Sequence, residues 1–461
     1  MSQRNSSNHR RRESKRPPIM EQIQPNAAGV DVHSDCHFVA VPEDRDEQSV
    51  RVFGAFTEDL VKLADWLSAC GVTTVAMEST GVYWIPLYDY LEKRGFQVLL
   101  VDPRKLKSVP GRKSDVVDCQ WLQQLHTYGL LAAAFRPDEQ TCVLRAYMRQ
   151  RGLLVEESSR HVLRMQKSFE QMNVKLEKVL SDITGVTGMQ IIEAILAGER
   201  DPEKLAKFRD PRCQNDEATI AKALLGEWRE EHLFTLRQAV DQYRMCCKLI
   251  EECDARVEAH LQTYADVPQT NPAPAIVPRA NKVRKGKTFL RFDAQPVLIQ
   301  KTGVDLTRID GIDNCTALKL ISEIGTDMSR WKTEKHFTSW LALCPDNRDS
   351  NGRRKSSRTR PSANRAAAAL RMAAQGLHHS KSAMGAYLRR MKASLGPAKA
   401  ITATARKLAV IVYRVLKHGM RFVDRGQDWY EGQYRERVLK TLTRKAQQLG
   451  YVLTPIAPAK T

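Results

Sequence analysis

Four carboxylates carry the strongest chemical signal in the chain. Asp31 lies in an apolar run between Val30 and Val32, where an ionised group is costly unless something compensates it. Glu78 closes a second apolar run and opens into Ser79-Thr80-Gly81, a turn-like exit. Asp115 and Asp118 stand three residues apart at the start of a helical pattern, a spacing that puts both on one helix face. Hard oxygen donors of this kind suit Mg²⁺, and cysteine does not. Two such ions, about 3.5–4 Å apart, activate the attacking oxygen and stabilise the leaving one in phosphodiester cleavage. Taken singly, Asp115 reads equally well as a helix-dipole charge and Asp118 as part of a solvated face. A second chemical candidate is the serine-containing, basic loop expected over 348–360, RDSNGRRKSSRTR. There Arg353, Arg354, Lys355, Arg358 and Arg360 would neutralise phosphates, and cationic neighbours would stabilise a developing alkoxide.

The elements that must position these groups follow from periodicity. Strands are expected over 28–41, 50–56, 73–78 and 96–102, and helices over 59–70, 84–94 and 115–128, the last with Ser114 as N-cap. Strands first, then strands alternating with helices, imply an α/β domain with a central sheet. From 141 to about 180, and again from about 230 to 264, long polar segments with apolar residues at helical spacing predict long helices, read as a coiled-coil spacer or oligomerisation arm. A Pro-rich then basic stretch over 266–287 reads as a linker. A mostly α-helical domain follows, in which Ile309-Asp310-Gly311-Ile312 resembles the hairpin of a helix-hairpin-helix, with Gly311 letting backbone approach a phosphate. Arg104, Lys105, Lys107, Arg112 and Lys113 form a second basic stretch beside the carboxylates, suited to holding nucleic acid there. The expected divisions are a basic arm (1–22), the carboxylate domain (23–138), the helical region (139–265), the linker (266–295), the C-terminal domain (296–425) and a basic tail (426–461).

Composition agrees with a nucleic-acid partner. The 461 residues carry 73 Lys+Arg against 53 Asp+Glu, a formal net charge of +20, which calls for a polyanion. No apolar run is long enough for a transmembrane helix, and the basic N-terminal arm lacks the apolar segment of a secretory signal. The 10 cysteines form no C-x-x-C pair, which fits reduced cytosolic thiols better than disulfides or zinc.

The segments GVDVHSD, AMESTGVYW and LVDPRKLKSVPGRKSDVVDCQWL resemble the N-terminal domain of the insertion-sequence one-ten family of transposases, including its eleven-eleven subgroup. LTRIDGIDNCTALKLISEIG and FTSWLALCPDNRDSNGRRKSSR are similar to that family's C-terminal domain. The resemblance implies a RuvC-like, RNase H-type fold whose DEDD tetrad falls on Asp31, Glu78, Asp115 and Asp118, and a nucleophilic serine in the C-terminal domain. Counting from Pro345, that serine is Ser350, with Ser356 and Ser357 as rivals in the same stretch. It also implies a structured guide RNA encoded by the element. A cytoplasmic, nucleoid-associated protein of a prokaryotic cell is expected, acting on DNA as a homodimer or homotetramer. Two rival functions stand beside the transposase: a hydrolytic RuvC-like nuclease in which water attacks, and a non-catalytic nucleic-acid-binding protein.

Overall fold

A computed structural model describes residues 21–79, 81–102, 114–267, 289–351, 353–419 and 425–454. They fall into two units, one ending at Arg136 and one beginning at Pro137. The first contains β1 (Ala27–Val32), β2 (Cys36–Ala40), β3 (Val50–Gly54), α1 (Thr57–Ala69), β4 (Thr74–Glu78), α2 (Trp84–Lys93), β5 (Gln97–Val101) and α3 (Asp115–Thr127). The five strands make one mixed sheet in the order β3-β2-β1-β4-β5. The β3-β2-β1 part is antiparallel, and β4 and β5 run parallel to β1.

The single strand expected over 28–41 is two strands. The chain reverses at His33-Ser34-Asp35, where the His33 N–H donates to the Cys36 carbonyl at 3.1 Å, and β2 folds back so that Gly29 faces Ala40. A polar Ser-Asp pair between two apolar runs is a turn signal that the longer reading passed over.

Alternation along β1 divides its residues between two layers. Ala28, Val30 and Val32 join Val39, Leu63 and Leu67 of α1, and Leu87 and Leu91 of α2, in one core. The opposite face carries α3. Leu122 packs there on Ala76 and Val101. Thr74 Oγ1 lies 2.8 Å from His126 Nε2, and the Gln123 side-chain amide donates to the Ala27 carbonyl at 3.4 Å. Burial holds the His126 imidazole below its ordinary pKa, so it is the neutral ring that meets Thr74.

The second unit is almost entirely helical among its described residues. Two 33-residue helices, α4 (Glu139–Gln171) and α9 (Glu230–Gln262), run antiparallel: Gln140 reaches Thr263, Arg151 meets Asp254, and Ser168 meets Thr235. Both Arg151 and Asp254 are buried, at 3% and 0% side-chain exposure, and their ion pair is reinforced by the Arg291 backbone N–H on Asp254. Four short helices, α5 (Leu176–Val179), α6 (Val186–Leu196), α7 (Pro202–Ala206) and α8 (Glu217–Ala223), close over one end of the pair. There Phe169, Ile191, Ile192, Leu236 and Val240 share a core.

The remainder comprises α10 (Ala294–Thr302), α11 (Asn314–Ile324), α12 (Glu334–Trp340), a hairpin of β6 (Arg348–Ser350) and β7 (Arg353–Ser356), and then α13 (Arg365–Gly376), α14 (Ala383–Leu395), α15 (Pro397–His418) and α16 (Gly426–Gln448). α11 is clamped to α4 by Glu323, which accepts from Arg149 Nε and Nη2 at 2.9 and 2.8 Å. α15 forms the spine of this part and packs against α12, α13 and α14.

Candidate active site

Asp31 is the fifth residue of β1 and shares the α3 face of the sheet with Gly29. β4 lies beside β1 with Ala76 opposite Gly29 and Met77 opposite Val30, so Glu78, at the end of β4, shares that face with Ala76. The exit after Glu78 is held by Ser79, whose N–H and Oγ both donate to the Val101 carbonyl, at 3.0 and 2.9 Å. α3 begins at Asp115. Its N-cap is Ser114, whose Oγ accepts from the Val117 N–H at 3.4 Å, and Asp115 and Asp118 both lie in its first turn.

What seats that helix turn over the strands is Gly29. A Cβ at this position would stand 2.3 Å from the Gln123 nitrogen and 2.4 Å from the Cys119 carbonyl oxygen, both backbone atoms of α3. The absence of a side chain lets the helix lie directly on β1, two residues before Asp31.

One side chain passed over in the sequence completes the group. His33 Nε2 lies 3.1 Å from Asp31 Oδ2 and 3.8 Å from Asp115 Oδ1. One ligand atom each from Asp31, His33 and Asp115 lies within 4.8 Å of the other two. The signal was present as Asp-x-His, since residues two apart leave a strand on the same side. Burial raises the Asp31 carboxyl above its ordinary pKa; the His33 ring opposes that by charge and hydrogen bond, and the charges of Glu78 and Asp115 add to it. A carboxylate cluster that repels itself in this way is stabilised by a bound cation. Its oxygen donors, with one imidazole, fit a divalent metal.

Beneath the carboxylates sits Cys119, fully buried and donating to the Val116 carbonyl. Burial, then the Asp31 charge, pushes its thiol up to about 12, so it is a core residue and no nucleophile.

Ser350 ends β6 and is exposed. The stretch expected as a loop is a hairpin at this point, with Ser350 paired to Arg353 and Asn351 in the left-handed region at φ 55°. Asn-Gly between two extended segments is a strong two-residue hairpin signal. Arg353, Arg354 and Lys355 are exposed on β7. Arg360 is committed elsewhere: its Nη2 donates to the Ser339 carbonyl at 2.7 Å. Ser356 is half-buried and its Oγ accepts from the Arg358 N–H, whereas Ser357 is exposed.

Gly311 adopts φ +87°, and the close approach that its missing side chain permits is to α13: a Cβ there would stand 2.8 Å from the Ala373 carbonyl oxygen. The α11 start beside it is capped by Asp313, whose carboxylate accepts from the Thr316 N–H at 2.8 Å. Arg104, Lys105, Lys107, Arg112 and Lys113 lie outside the described residues, as do most of the basic arm and of the expected linker.

Comparison with known proteins finds two family matches. Residues 28–174 match the DEDD transposase family of IS110, and residues 305–389 match the family described as "Transposase IS116/IS110/IS902 family". The first segment holds all four carboxylates and His33; the second holds Gly311 and the Ser350 hairpin. No curated protein matches the chain.

Proposed function

Because the chain belongs to the IS110 family of transposases, we propose that it moves DNA by serine strand exchange assisted by Mg²⁺ held on Asp31, Glu78, Asp115 and Asp118. The observation that carries this reading is the convergence of Asp31, His33 and Asp115, with Glu78 on the neighbouring strand, over a strand order of β3-β2-β1-β4-β5. That order supports an RNase H-like, RuvC-like fold for the first unit. The cations, two in this reading, would supply Lewis-acid stabilisation of charge on phosphate oxygens.

The chain's own residues do the rest. His33 Nε2 pairs with Asp31 and stands beside Asp115, which keeps these two groups oriented toward one another. Gly29 sets the height of α3 above the sheet. Ser350 Oγ attacks the scissile phosphorus; the phosphorus–oxygen bond to the leaving strand breaks, that strand departs as a hydroxyl, and a phosphoserine ester conserves the bond energy. Arg353, Arg354 and Lys355 on the adjoining strand bind the phosphates beside it. A structured guide RNA selects the sites, and the antiparallel α4–α9 arm joins copies of the chain into a dimer or tetramer. No helix among the described residues is long and apolar enough to cross a membrane.

The test is to trap covalent protein–DNA adducts on nicked element ends with Mg²⁺ present. Wild type forms the adduct, and Ser350→Ala and Asp31→Asn do not. Adducts from Ser350→Ala would remove the serine assignment. Metal-dependent cleavage to free ends, insensitive to Ser350→Ala, would make the protein a hydrolytic nuclease.

A further inference from the structure

A group of cations and tyrosines gathers where α14 meets α15 and α16, in a part of the fold that the proposed chemistry does not use. Arg390 of α14 lies over two rings of α16, 3.7 Å from the Tyr434 centroid and 5.2 Å from that of Tyr430. Lys407 of α15 lies 3.9 Å over the Tyr387 ring. Tyr387 and Tyr430 meet edge to face at 6.2 Å.

Two polar atoms here are buried without a hydrogen-bond partner: Arg390 Nη1 and the hydroxyl of Tyr430, a residue only 8% exposed. A buried donor left unpaired is costly, so such groups call for a partner. The charges that act on Lys407 and Tyr430 are cationic. Partial withdrawal from water, then the charges of Arg437 and Arg390, lowers the Lys407 ammonium below its ordinary pKa. Arg390 and Arg437 are likewise the cations that act on Tyr430. A cluster of cations that repel one another and leave donors unpaired is built for an anion.

The shape of the surface indicates which anion. Tyr430, Tyr434 and Arg437 recur on one face of α16, and Lys440 and Arg444 continue it at helical spacing. From Tyr430 to Arg444 the helix rises about 21 Å. Over that length a nucleic-acid duplex presents roughly twelve charges, whereas a free phosphate would use one point of the stripe. Bases are not what it reads, because Arg390 and Lys407 already cover the Tyr434 and Tyr387 rings. We propose that the α14–α15–α16 face, centred on Arg390, Lys407, Tyr430 and Arg437, is a sequence-independent binding site for the phosphodiester backbone of a nucleic acid. Except for Tyr387, these residues lie beyond the matched segments.

The experiment measures binding of the full-length protein by fluorescence anisotropy from 50 to 300 mM salt. Its probes are a duplex DNA, a single-stranded DNA and a hairpin RNA, all of arbitrary sequence. Lys407→Gln/Arg437→Gln removes two exposed cations. The proposal expects affinity to fall about tenfold or more near 0.1 M salt. It expects the slope of log affinity against log salt to shrink by about 1.8 on a duplex and about 1.4 on a single strand. The probe with the largest change identifies the backbone bound. Arg437→Gln alone, at about half the slope change, serves if the double variant melts early. An unchanged slope on all three probes overturns the proposal. The measurement involves no strand transfer, so its outcome stands whether or not Ser350 forms an adduct.

Discussion

Replacing Gly29 by alanine tests the contact on which the carboxylate site is built. The new Cβ would stand 2.3 Å from the Gln123 nitrogen, 2.4 Å from the Cys119 oxygen and 2.9 Å from the Gln123 Cα. All three are backbone atoms, so no rotamer change relieves the clash. Ordinary contact begins near 3.4 Å, so α3 must retreat by about 1 Å. Two effects oppose each other. Gly→Ala stiffens the unfolded chain and, where the backbone tolerates it, stabilises by roughly 0.4–1 kcal/mol. Overpacking a close contact costs roughly 1–3 kcal/mol, and here it strains the Thr74–His126 and Gln123–Ala27 links as well. The net expectation is a loss of about 1–2 kcal/mol. Asp115 rides on the displaced helix, so divalent-ion affinity should fall together with stability. Urea titration gives the first quantity, read as a lower midpoint at unchanged slope, and calorimetric titration with Mg²⁺ or Mn²⁺ the second. If Gly29→Ala unfolds at the wild-type midpoint or above it and binds metal normally, the height of α3 is not what assembles the site.

Three further outcomes are expected. His126 is buried neutral with its pKa lowered, so the unfolded chain binds its proton first. Its contribution is present in full above the unfolded value near 6.5 and is lost as pH falls through the window down to the depressed folded value. His126→Gln should therefore flatten the loss of stability between pH 7.5 and 5.5, seen as a smaller shift in urea midpoint. Arg151→Met leaves Asp254 buried without its counter-ion and should cost about 3–5 kcal/mol, while Arg151→Met/Asp254→Leu should recover much of that loss in the same denaturation assay. Asn351→Val puts a β-branched residue at φ 55° and should cost about 1–2 kcal/mol locally, loosening the hairpin and reducing adduct yield at Ser350 more than it changes the melting temperature.

Much of this molecule was legible in its residues where the signal was local. Ser114 before Asp115 announced a capped helix, and its cap forms as expected. The apolar runs ending at Glu78 and Val101 lie side by side in one central sheet, which alternation of strand and helix implied; that they run parallel is what the structure adds. The misreadings were local too. A Ser-Asp turn went unweighed at 34–35, so one strand was expected where two fold back on each other. Asn351-Gly352 was taken as loop, although that pair between extended segments is itself a hairpin code.

By itself the sequence determined which groups have the chemistry: carboxylates at strand ends and at a helix start, a serine among arginines, and a surplus of positive charge. Only the tertiary structure decided which neighbours each of them meets within its own unit. Nothing in the pattern around Gly29 says that its missing side chain admits the backbone of α3, because the partner atoms belong to an element far along the chain. His33 acquires its place between Asp31 and Asp115 only once β1 and α3 are stacked. Arg390, Lys407 and Tyr430 likewise come from three separate helices, and their meeting is set by how those helices pack. Periodicity specifies which face of an element is buried; the close approach of two particular faces depends on the geometry of the whole layer, and that is fixed by packing.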